Sequence, residues 1–346
     1  MRAVFIFISF VIMAAAAGQN RQPAGTPVTI AFYNVENLFD TVDDEGPGDD
    51  EYLPGSAKQW DEKRYGRKLK DIAGTLGSLS NTGLPALIGL AEVENRRVLE
   101  DLVKETPLRR GRYEIVHFDS PDERGIDVAL LYQPDGFTVA ESRTIGVKFI
   151  FAPDDMTRDI LYVKGVMDDG KTYHVYVNHW PSRSGTERES EMRRFTAAAA
   201  LRKDIDNILN FENDARIIIM GDFNDEPTNL SLMQILNATN KRKNQSYRDL
   251  YNLMYDSHNT GEEGTIAYRE SWQMFDQIII TFSLLYDNGG YFTGFGGGKV
   301  HSPDELLFTG ETGLRAPNRT YGGNTYYGGA SDHLPVFVTL GKSGGR

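Results

Sequence analysis

The stretch Ile217–Pro227 reads I-I-I-M-G-D-F-N-D-E-P and joins an apolar run to a polar end. Three isoleucines and a methionine in succession are typical of a buried β-strand. Asp222 and Asn224 follow, with one residue between them. Side chains two positions apart in a strand point to the same side, so we expect a carboxylate and an amide side by side at the end of a sheet. The alternative is an ordinary turn built from Asp, Asn and Pro.

Polar side chains accompany five further predicted strands in the same manner. They are Asn34 and Glu36 after Val28–Tyr33, Glu92 after Pro85–Ala91, Asn178 and His179 at the end of Thr172–Asn178, Asp276 in Phe275–Thr281, and Asp332 and His333 before Leu334–Leu340. Isolated polar residues of this kind are usually structural, and we expect that of His117 and His174. Unpaired carboxylates at buried strand ends carry a desolvation cost. A bound divalent cation would offset that cost, so the repeated pattern predicts a metal site.

The residue types narrow the choice of metal. The chain has no cysteine, and carboxylates and amides dominate the candidate positions. Oxygen-rich sites of this kind suit Mg²⁺, with Mn²⁺ or Ca²⁺ as alternatives, and do not suit structural zinc. The chain also lacks a Walker-type glycine loop and a Gly-x-Ser-x-Gly motif, which argues against a nucleotide-hydrolysing motor and a serine hydrolase.

Strands alternating with helices along the chain predict an α/β fold. Helices are expected at Glu62–Leu79, after Asn95, at Glu187–Asn210 and at Leu230–Leu236, and further strands at Tyr113–Phe118, Ile126–Tyr132, Thr138–Gly146 and Leu161–Met167. The buried stripe of the longest helix should consist of Met192, Phe195, Ala198, Leu201, Ile205 and Leu209. The glycine- and tyrosine-rich segment Asn288–Ala330 should form loops with short strands. Its tyrosines could stack bases or sugars, or could form a packed rim with no ligand; they include Tyr291, Tyr321, Tyr326 and Tyr327. Without an internal repeat or a clear linker, residues 28–340 are predicted to form one domain.

The two ends of the chain are predicted to lie outside that domain. Residues 1–18 contain Arg2, a nearly continuous apolar run and small residues around Ala17, which is the pattern of a secretory signal peptide. The run is too short to span a membrane, and no later segment is apolar enough to do so. We therefore expect a secreted or periplasmic protein, with a polar leader at 19–27 and a flexible tail at 341–346.

The charge of the chain limits its partners. The formal net charge is −12, which gives no general attraction to polyanions and disfavours tight binding of duplex nucleic acid. Part of the negative charge lies in the loop 43–51, which lacks the ligand spacing of a calcium-binding loop. We expect a solvated turn there, and a low-affinity metal site is the alternative.

Six motifs together carry a family resemblance. In chain order they are N-V-E-N (Asn34–Asn37), L-A-E-V-E-N (Leu90–Asn95), V-N-H-W (Val177–Trp180), G-D-F-N (Gly221–Asn224), F-D-Q-I (Phe275–Ile278) and S-D-H-L-P (Ser331–Pro335). This set resembles the endonuclease/exonuclease/phosphatase superfamily of metal-dependent, pancreatic deoxyribonuclease-like phosphoesterases, in an exported bacterial-type form. The resemblance implies a four-layer α-β-β-α sandwich, in which two mixed β-sheets pack face to face and the site lies at one edge.

The resemblance also implies a metal cluster. Glu92 would be the principal metal ligand, assisted by Asn34 and Glu36, and Asp332 would complete the set. Other family members often have a different residue where Glu36 stands.

The catalytic residues implied by the resemblance are five. Asp222 would position or deprotonate the attacking water, and Asn224 would bind the phosphoryl oxygens. His333, oriented by Asp276, would act as general base or bind the phosphate. His179 would contact the phosphate or protonate the leaving oxygen. Which of Asp222 and His333 takes the proton stays open, since coupled groups share their titration.

Further candidates for phosphate contacts are Asn178, Arg124 and Arg183, since arginine can bind phosphate through two parallel hydrogen bonds. For Arg158, a phosphate contact and a solvated surface position are both open.

These observations predict an exported, Mg²⁺-dependent phosphoesterase that hydrolyses a phosphodiester, as a nuclease does, by attack of an activated water. The alternatives are a phosphatase or phospholipase-C-type hydrolase acting on inositol phosphates or sphingomyelin, and a non-catalytic binding module on the same fold. A carbohydrate hydrolase using Glu92 and Asp222 would fit only without a metal. The expected partner is a phosphoester, either nucleic acid or a small or lipid molecule, and no protein partner is indicated.

Overall fold

The strands and helices alternate along the part of the chain that the structure describes. In this computed structural model, that part is residues 26–342 without 46, 47, 82, 269, 270, 311, 312 and 314. Its main elements, in chain order, are β1 (Val28–Leu38), α1 (Glu62–Gly77), β2 (Leu87–Val93), α2 (Arg96–Leu102), β3 (Glu114–His117), β4 (Asp127–Tyr132), β5 (Phe137–Ile145), β6 (Ile160–Met167), β7 (Thr172–His179), α3 (Glu187–Leu209), β8 (Arg216–Asp222), β9 (Ala238–Thr239), β10 (Leu250–Asn252), α4 (Tyr255–Thr260), β11 (Ile266–Tyr268), β12 (Ser271–Gln273), β13 (Asp276–Thr281), β14 (Tyr291–Phe292), β15 (Gly298–Val300), β16 (Leu307–Thr309), β17 (Arg315–Pro317), β18 (Tyr321–Gly322), β19 (Thr325–Tyr326) and β20 (Val336–Lys342).

Two seven-stranded mixed sheets form the centre of the fold. The first has the order β14-β20-β1-β2-β4-β3, with β15 also paired to β20, and the second has the order β5-β6-β7-β8-β13-β10-β9. β1 and β2 are parallel, as are β7 and β8, whereas β20 and β13 pair with their neighbours β1 and β8 in the antiparallel sense. The remaining short strands form three separate two-stranded hairpins.

The two sheets pack face to face, and helices cover their outer faces. The inner faces share one buried core, to which Phe32 and Leu130 contribute from the first sheet and Val175 and Met220 from the second. On the outside, α1 and α2 pack on the first sheet and α3 on the second. This is the four-layer α-β-β-α sandwich expected from the sequence, and the α/β fold class is confirmed.

Polar side chains fix where the helices begin. Asp61, Asn95 and Thr186 precede α1, α2 and α3, and each side chain accepts a hydrogen bond from a backbone N–H in the first turn. Such caps satisfy donors that have no partner within the helix. None of the described helices is long and apolar enough to cross a membrane.

The predicted stripe of α3 is wrong at its first turns. Met192 is 43% exposed, and Ser190 and Arg194 are buried instead. The reason is a buried carboxylate beneath the helix, because Arg194 Nε lies 2.8 Å from Asp225 Oδ1. From Ala198 onward the stripe is buried as expected.

Other expectations for local structure also need correction. The helix predicted at Leu230–Leu236 is a single π-helical turn, Ser231–Leu236. The last strand runs to Lys342, so the first two residues of the predicted tail belong to the first sheet. Tyr291 and Tyr321, considered for stacking on a ligand, are buried. The predicted signal peptide at 1–18 and most of the leader at 19–27 lie outside the described residues.

Candidate active site

Three neighbouring strands of the second sheet carry three polar residues side by side. His179 on β7 and Asp276 on β13 are the direct cross-strand partners of Asp222 on β8. Alternation puts Asp222 on the same face as Met220, which packs in the core between the sheets. The three side chains therefore point into the space between the sheets, where the strands end and the apolar core stops.

The first sheet contributes Asn34 and Glu92 from the opposite side of this space. Asn34 Nδ2 donates to Asp222 Oδ2 (3.1 Å) and lies 3.4 Å from Glu92 Oε1. Regular alternation would have pointed Glu92 outward, since Ile88 and Leu90 pack under the helices. Glu92 instead has a left-handed backbone (φ 62°) at an irregularity in the β2–β4 pairing. Strain of this kind in a residue other than glycine is common at functional sites.

His333 closes the site from the loop before β20. Its Nδ1 lies 2.7 Å from Asp276 Oδ2, and its Nε2 lies 3.8 Å from Asp222 Oδ2. One ligand-type atom from each of these three residues lies within 4.8 Å of the others. Ser331 ties the loop to β1, because its hydroxyl donates to the Asn34 carbonyl and accepts from the His333 backbone N–H.

Asp276 is positioned to orient His333 and has little contact with solvent. The residue is fully buried, and its backbone N–H donates to Thr265 Oγ1. Its second oxygen, Oδ1, has no hydrogen-bond partner within the described part of the chain. A buried carboxylate in this position favours a charged partner, which His333 can provide.

Burial and neighbouring charges keep His179 neutral. Burial lowers the pKa of His179 well below its ordinary value, and the charges of Arg158 and Arg124 lower it further. Its Nε2 lies 3.6 Å from Asp222 Oδ2 and 3.8 Å from Glu92 Oε1. At neutral pH this imidazole can donate one hydrogen bond but is a poor source of a proton.

The pKa values of His333 and Asp222 are both raised, in contrast to that of His179. Burial alone would lower the pKa of His333, but the adjacent Asp276 carboxylate outweighs it and holds the pKa well above the ordinary value. Asp222 and Asp332 act on His333 in the same direction. Burial raises the pKa of Asp222 to about 6, with His333 opposing and Asp276 reinforcing that shift. At pH 7 the site therefore contains an imidazolium next to a carboxylate that can still accept a proton.

Glu92 and Asp332 are predicted metal ligands whose carboxylates are partly exposed. Their side chains are 13% and 26% exposed, so both are open to solvent at the site, unlike the fully buried Asp276. Asn34, predicted as a third ligand, presents its amide nitrogen to the carboxylates, while its Oδ1 accepts from the Glu36 backbone N–H at 3.0 Å. Carboxylate oxygens fit Mg²⁺, Mn²⁺ or Ca²⁺, so the residues present suit the expected type of ion.

Glu36, also predicted as a metal ligand, anchors a loop, and its role at a metal stays a prediction. Its two carboxylate oxygens accept hydrogen bonds from the backbone N–H groups of Thr320 (2.6 Å) and Tyr321 (3.0 Å). The buried Lys68 donates to Thr320 Oγ1 at 2.5 Å and reinforces the same loop. Sequence reasoning missed Lys68, although a lysine beside Leu69 on the buried face of an amphipathic helix was a usable signal.

Two residues of the central motifs make hydrogen bonds within the protein. Asn178 is fully buried, donates to the Met220 carbonyl and accepts from Trp180 Nε1, so its phosphate contact stays a prediction. Asn224 has a left-handed backbone (φ 50°), and its Nδ2 donates to the Trp180 carbonyl. The strand geometry assumed for Asp222 and Asn224 ends at Asp222.

The candidate arginines differ in whether their side chains are available to bind an anion. Arg124 lies at the rim, contacts Asn37 Oδ1 and is 3.9 Å from Glu92 Oε2. The nitrogens of Arg183 are engaged by the Asn224 carbonyl, Asp225 and Asn229.

Arg158 is neither solvated nor available to a substrate. It is buried, pairs with Asp122 at 2.8 Å and donates to the Trp180 carbonyl. Arg319, which was missed, lies 3.8 Å from Asp332 Oδ2 and is 40% exposed.

Solved structures share this architecture at low sequence identity. The human Nocturnin catalytic domain with a bound sulfate anion is 16% identical (TM-score 0.55, covering 92% of this chain and 96% of that one). A mannosyl-6-phosphatase from Bacteroides thetaiotaomicron is 16% identical (TM-score 0.55, 90% and 99%). Truncated TDP2 from Caenorhabditis elegans is 14% identical (TM-score 0.53, 92% and 98%). A comparison with curated protein sequences gave no match.

The sandwich and its carboxylate–histidine site define a phosphoester hydrolase of the type that depends on a divalent metal. The chain belongs to the Endonuclease/Exonuclease/phosphatase family, whose sequence model matches residues 29–342.

Proposed function

We propose that this protein is a Mg²⁺-dependent hydrolase that cleaves a P–O bond of a small phosphoester by direct attack of water. The observation that carries the proposal is the contact of His333 with Asp276 at 2.7 Å beside Asp222, in a site where Glu92 faces them from the other sheet. This arrangement combines a proton acceptor, a proton donor and open metal-ligand oxygens around one space.

Glu92 and Asp332 would hold the metal. When bound, the ion would neutralise negative charge on the phosphoryl oxygens. Asn34 keeps the Glu92 and Asp222 side chains in place through its amide nitrogen. Arg124, at the rim, could contact the same phosphoryl group.

Asp222 is the group we assign as general base. It is ionised at neutral pH, yet its raised pKa makes it a stronger base than an ordinary aspartate. His333 is the matching donor, because Asp276 keeps its imidazole protonated and fixes the orientation of Nε2. It would donate a hydrogen bond to the phosphoryl oxygen or a proton to the leaving oxygen. Neutral His179 would only orient the phosphate, since it is poorly suited to protonate the leaving group.

The charge around the site supports a small substrate over a nucleic acid. A cavity beside the site is lined by seven carboxylates, and no lysine or arginine is among its described lining residues. This surface would repel the extended phosphate backbone of a polynucleotide, which basic residues normally attract. The nuclease-like phosphodiesterase is therefore the second candidate, favoured only by the rim arginines Arg124 and Arg319.

The substrate class can be tested directly. We expect Mg²⁺-dependent hydrolysis in a panel of p-nitrophenyl phosphate, its bis-ester, sugar and inositol phosphates, sphingomyelin, RNA and plasmid DNA, with the highest kcat/KM on a small phosphoester. Chelator and the Asp222→Asn variant serve as controls. Fastest turnover of plasmid DNA would favour the second candidate. Activity that survives a strong chelator would contradict the metal-dependent mechanism.

The raised pKa of Asp222 predicts the acid limb of the pH profile. The base must be ionised to accept a proton, and its pKa is raised by burial from 3.8 to about 6. Below about pH 6, log(kcat/KM) should fall with a slope of about one per pH unit, because protonated Asp222 cannot act as base. A pH–rate profile at saturating Mg²⁺ would measure the limb. If kcat/KM decreased only below about pH 4, near the pKa of an ordinary aspartate, the assignment of Asp222 as the base would be contradicted.

We also propose that the protein is exported. The support is the signal-like sequence at 1–18, which combines Arg2, a nearly continuous apolar run and small residues around Ala17. N-terminal sequencing of protein recovered from the periplasm or culture medium tests it. A mature protein that retains Met1 and the apolar run would contradict export by cleavage.

A further inference from the structure

The acidic cavity beside the active site takes no part in the proposed reaction. It has a volume of about 560 Å³, and seven of its eleven lining residues are carboxylates. It is formed where the loop after β1 meets the end of β2 and the turn that precedes β4. Acidic surfaces are common, so this composition alone does not define a site.

Glu94 provides the independent observation. The residue is only 5% exposed and lines the pocket. Its Oε2 accepts a hydrogen bond from the Asp40 backbone N–H at 2.7 Å. Its Oε1 is buried and has no hydrogen-bond partner in the described part of the chain. An unpaired buried oxygen is costly. Burial raises the pKa of Glu94 to about 8, so burial alone favours the protonated side chain, and a cation bound at this oxygen would favour the carboxylate form.

The nearby cations are already engaged elsewhere. Arg158 pairs with Asp122 at 2.8 Å, and Arg97 approaches Asp40 at 3.6 Å. His117 contacts Asp127 at 3.0 Å, and Ser120 donates to the other oxygen of that carboxylate. Asp122 and Asp127 therefore have partners, whereas Glu94 has none for its second oxygen.

Asp44 lines the same pocket as Glu94. The residue is half-buried, and its Oδ2 accepts a hydrogen bond from Nδ2 of Asn95, the residue after Glu94. Its backbone N–H donates to Asp49 Oδ2, which holds the loop in position. Two carboxylates from different segments thus line the pocket, and one of them has an oxygen without a partner in the described part of the chain.

We propose that Glu94 and Asp44 bind a second divalent cation, of the calcium type, at a site separate from the one held by Glu92 and Asp332. Hard oxygen ligands suit both Ca²⁺ and Mg²⁺, but a pocket shared by a strand end and a loop suits the irregular coordination that Ca²⁺ accepts. Water would complete the coordination, since the pocket is open to solvent.

The position of the cation gives it a structural role in the active site. Glu94 follows the metal ligand Glu92 by two residues, and its backbone N–H donates to the Leu38 carbonyl at the end of β1. A cation bound by Glu94 and Asp44 would tie the loop after β1 to the end of β2. It would thereby support the left-handed backbone that points Glu92 into the site.

Calcium-dependent melting of the full mature chain tests the proposal independently of catalysis. The Glu92→Gln variant serves as background, because it weakens the active-site metal. In this background, millimolar Ca²⁺ should raise Tm by about 2–4 °C relative to chelator, since a ligand bound only to the folded state stabilises it. Adding Glu94→Gln should abolish the shift, and calorimetry should show Ca²⁺ affinity at this site reduced at least about 10-fold.

Two further variants make the result decisive. Glu100→Gln, on the exposed face of α2, is the matched control and should keep the full calcium shift. Asp44→Asn, on the loop, should reduce it and replaces Glu94→Gln if that variant does not fold. No calcium shift in the Glu92→Gln background would overturn the proposal. A full calcium-induced rise in Tm in both the Glu94 and the Asp44 variants would overturn the proposal as well. Loss of activity in all variants would bear only on the proposed function.

Discussion

The Asp222→Asn variant should lose about three orders of magnitude in kcat on the best substrate of the panel, with a much smaller change in KM. General-base catalysis contributes about 10²–10⁴-fold to such reactions. Asparagine keeps the size of the side chain but cannot accept the proton from the attacking water. The effect should fall on kcat, because the lost interaction belongs to the transition state.

The fold should survive this substitution. Asp222 is fully buried at the centre of the second sheet, and an amide there removes a charge that burial penalises. Thermal melting should therefore give a Tm equal to or above that of the unaltered protein. Asp71→Asn, on the exposed side of α1, is the matched control and should leave kcat unchanged. A loss in kcat smaller than about 10-fold, with the fold intact, would transfer the role of general base to another group.

The Glu92→Gln variant should bind Mg²⁺ at least about 100-fold more weakly and lose most activity at millimolar Mg²⁺. Glu92 supplies an open carboxylate from the first sheet, and a neutral amide is a much weaker ligand for a hard cation. Changes in residues that only hydrogen-bond a metal ligand typically cost about 10–100-fold in metal affinity, so loss of a direct ligand should cost no less. High Mg²⁺ should restore part of the activity, because the remaining groups are intact.

Glu36→Gln is the informative control for this experiment. The two glutamates occupy similar positions near the ends of β1 and β2, but Glu36 holds the backbone of Thr320 and Tyr321. Its replacement should lower Tm and leave Mg²⁺ affinity within a few-fold of the unaltered protein. Calorimetric Mg²⁺ titration of both variants measures the difference. Equal losses of affinity in the two would restore Glu36 as a metal ligand.

Much of the fold could be predicted from local pattern. Apolar runs such as Ile217–Met220 and Phe32 with its neighbours become central strands, since few other structures can bury them. Polar residues such as Asp61 and Thr186 stop the preceding segment and start helices. The stripe of α3 failed at Met192 because a buried ion pair between Arg194 and Asp225 outweighs local periodicity.

The site was less predictable than the strands that carry it. The rule that residues two apart share one side failed for Asn34 and Glu36, and again for Asp222 and Asn224. In both cases the second residue has a positive φ, which the surrounding contacts impose and the local sequence does not signal. Asn178 looked like a site residue because it precedes His179, but the same alternation that exposes one to the site buries the other.

The sequence by itself determined which chemistry the protein carries: oxygen ligands and histidines at strand ends, on a chain whose apolar periodicity specifies the strands and helices of an α/β fold. Only the tertiary structure decided which of these groups act together. His333 meets Asp276 across 57 positions of the chain, and Asn34 meets Asp222 across 188. These contacts depend on sheet register and loop closure, which are determined by interactions throughout the fold. Periodicity extends only over neighbouring residues, so it specifies a strand but not the side chain that faces it.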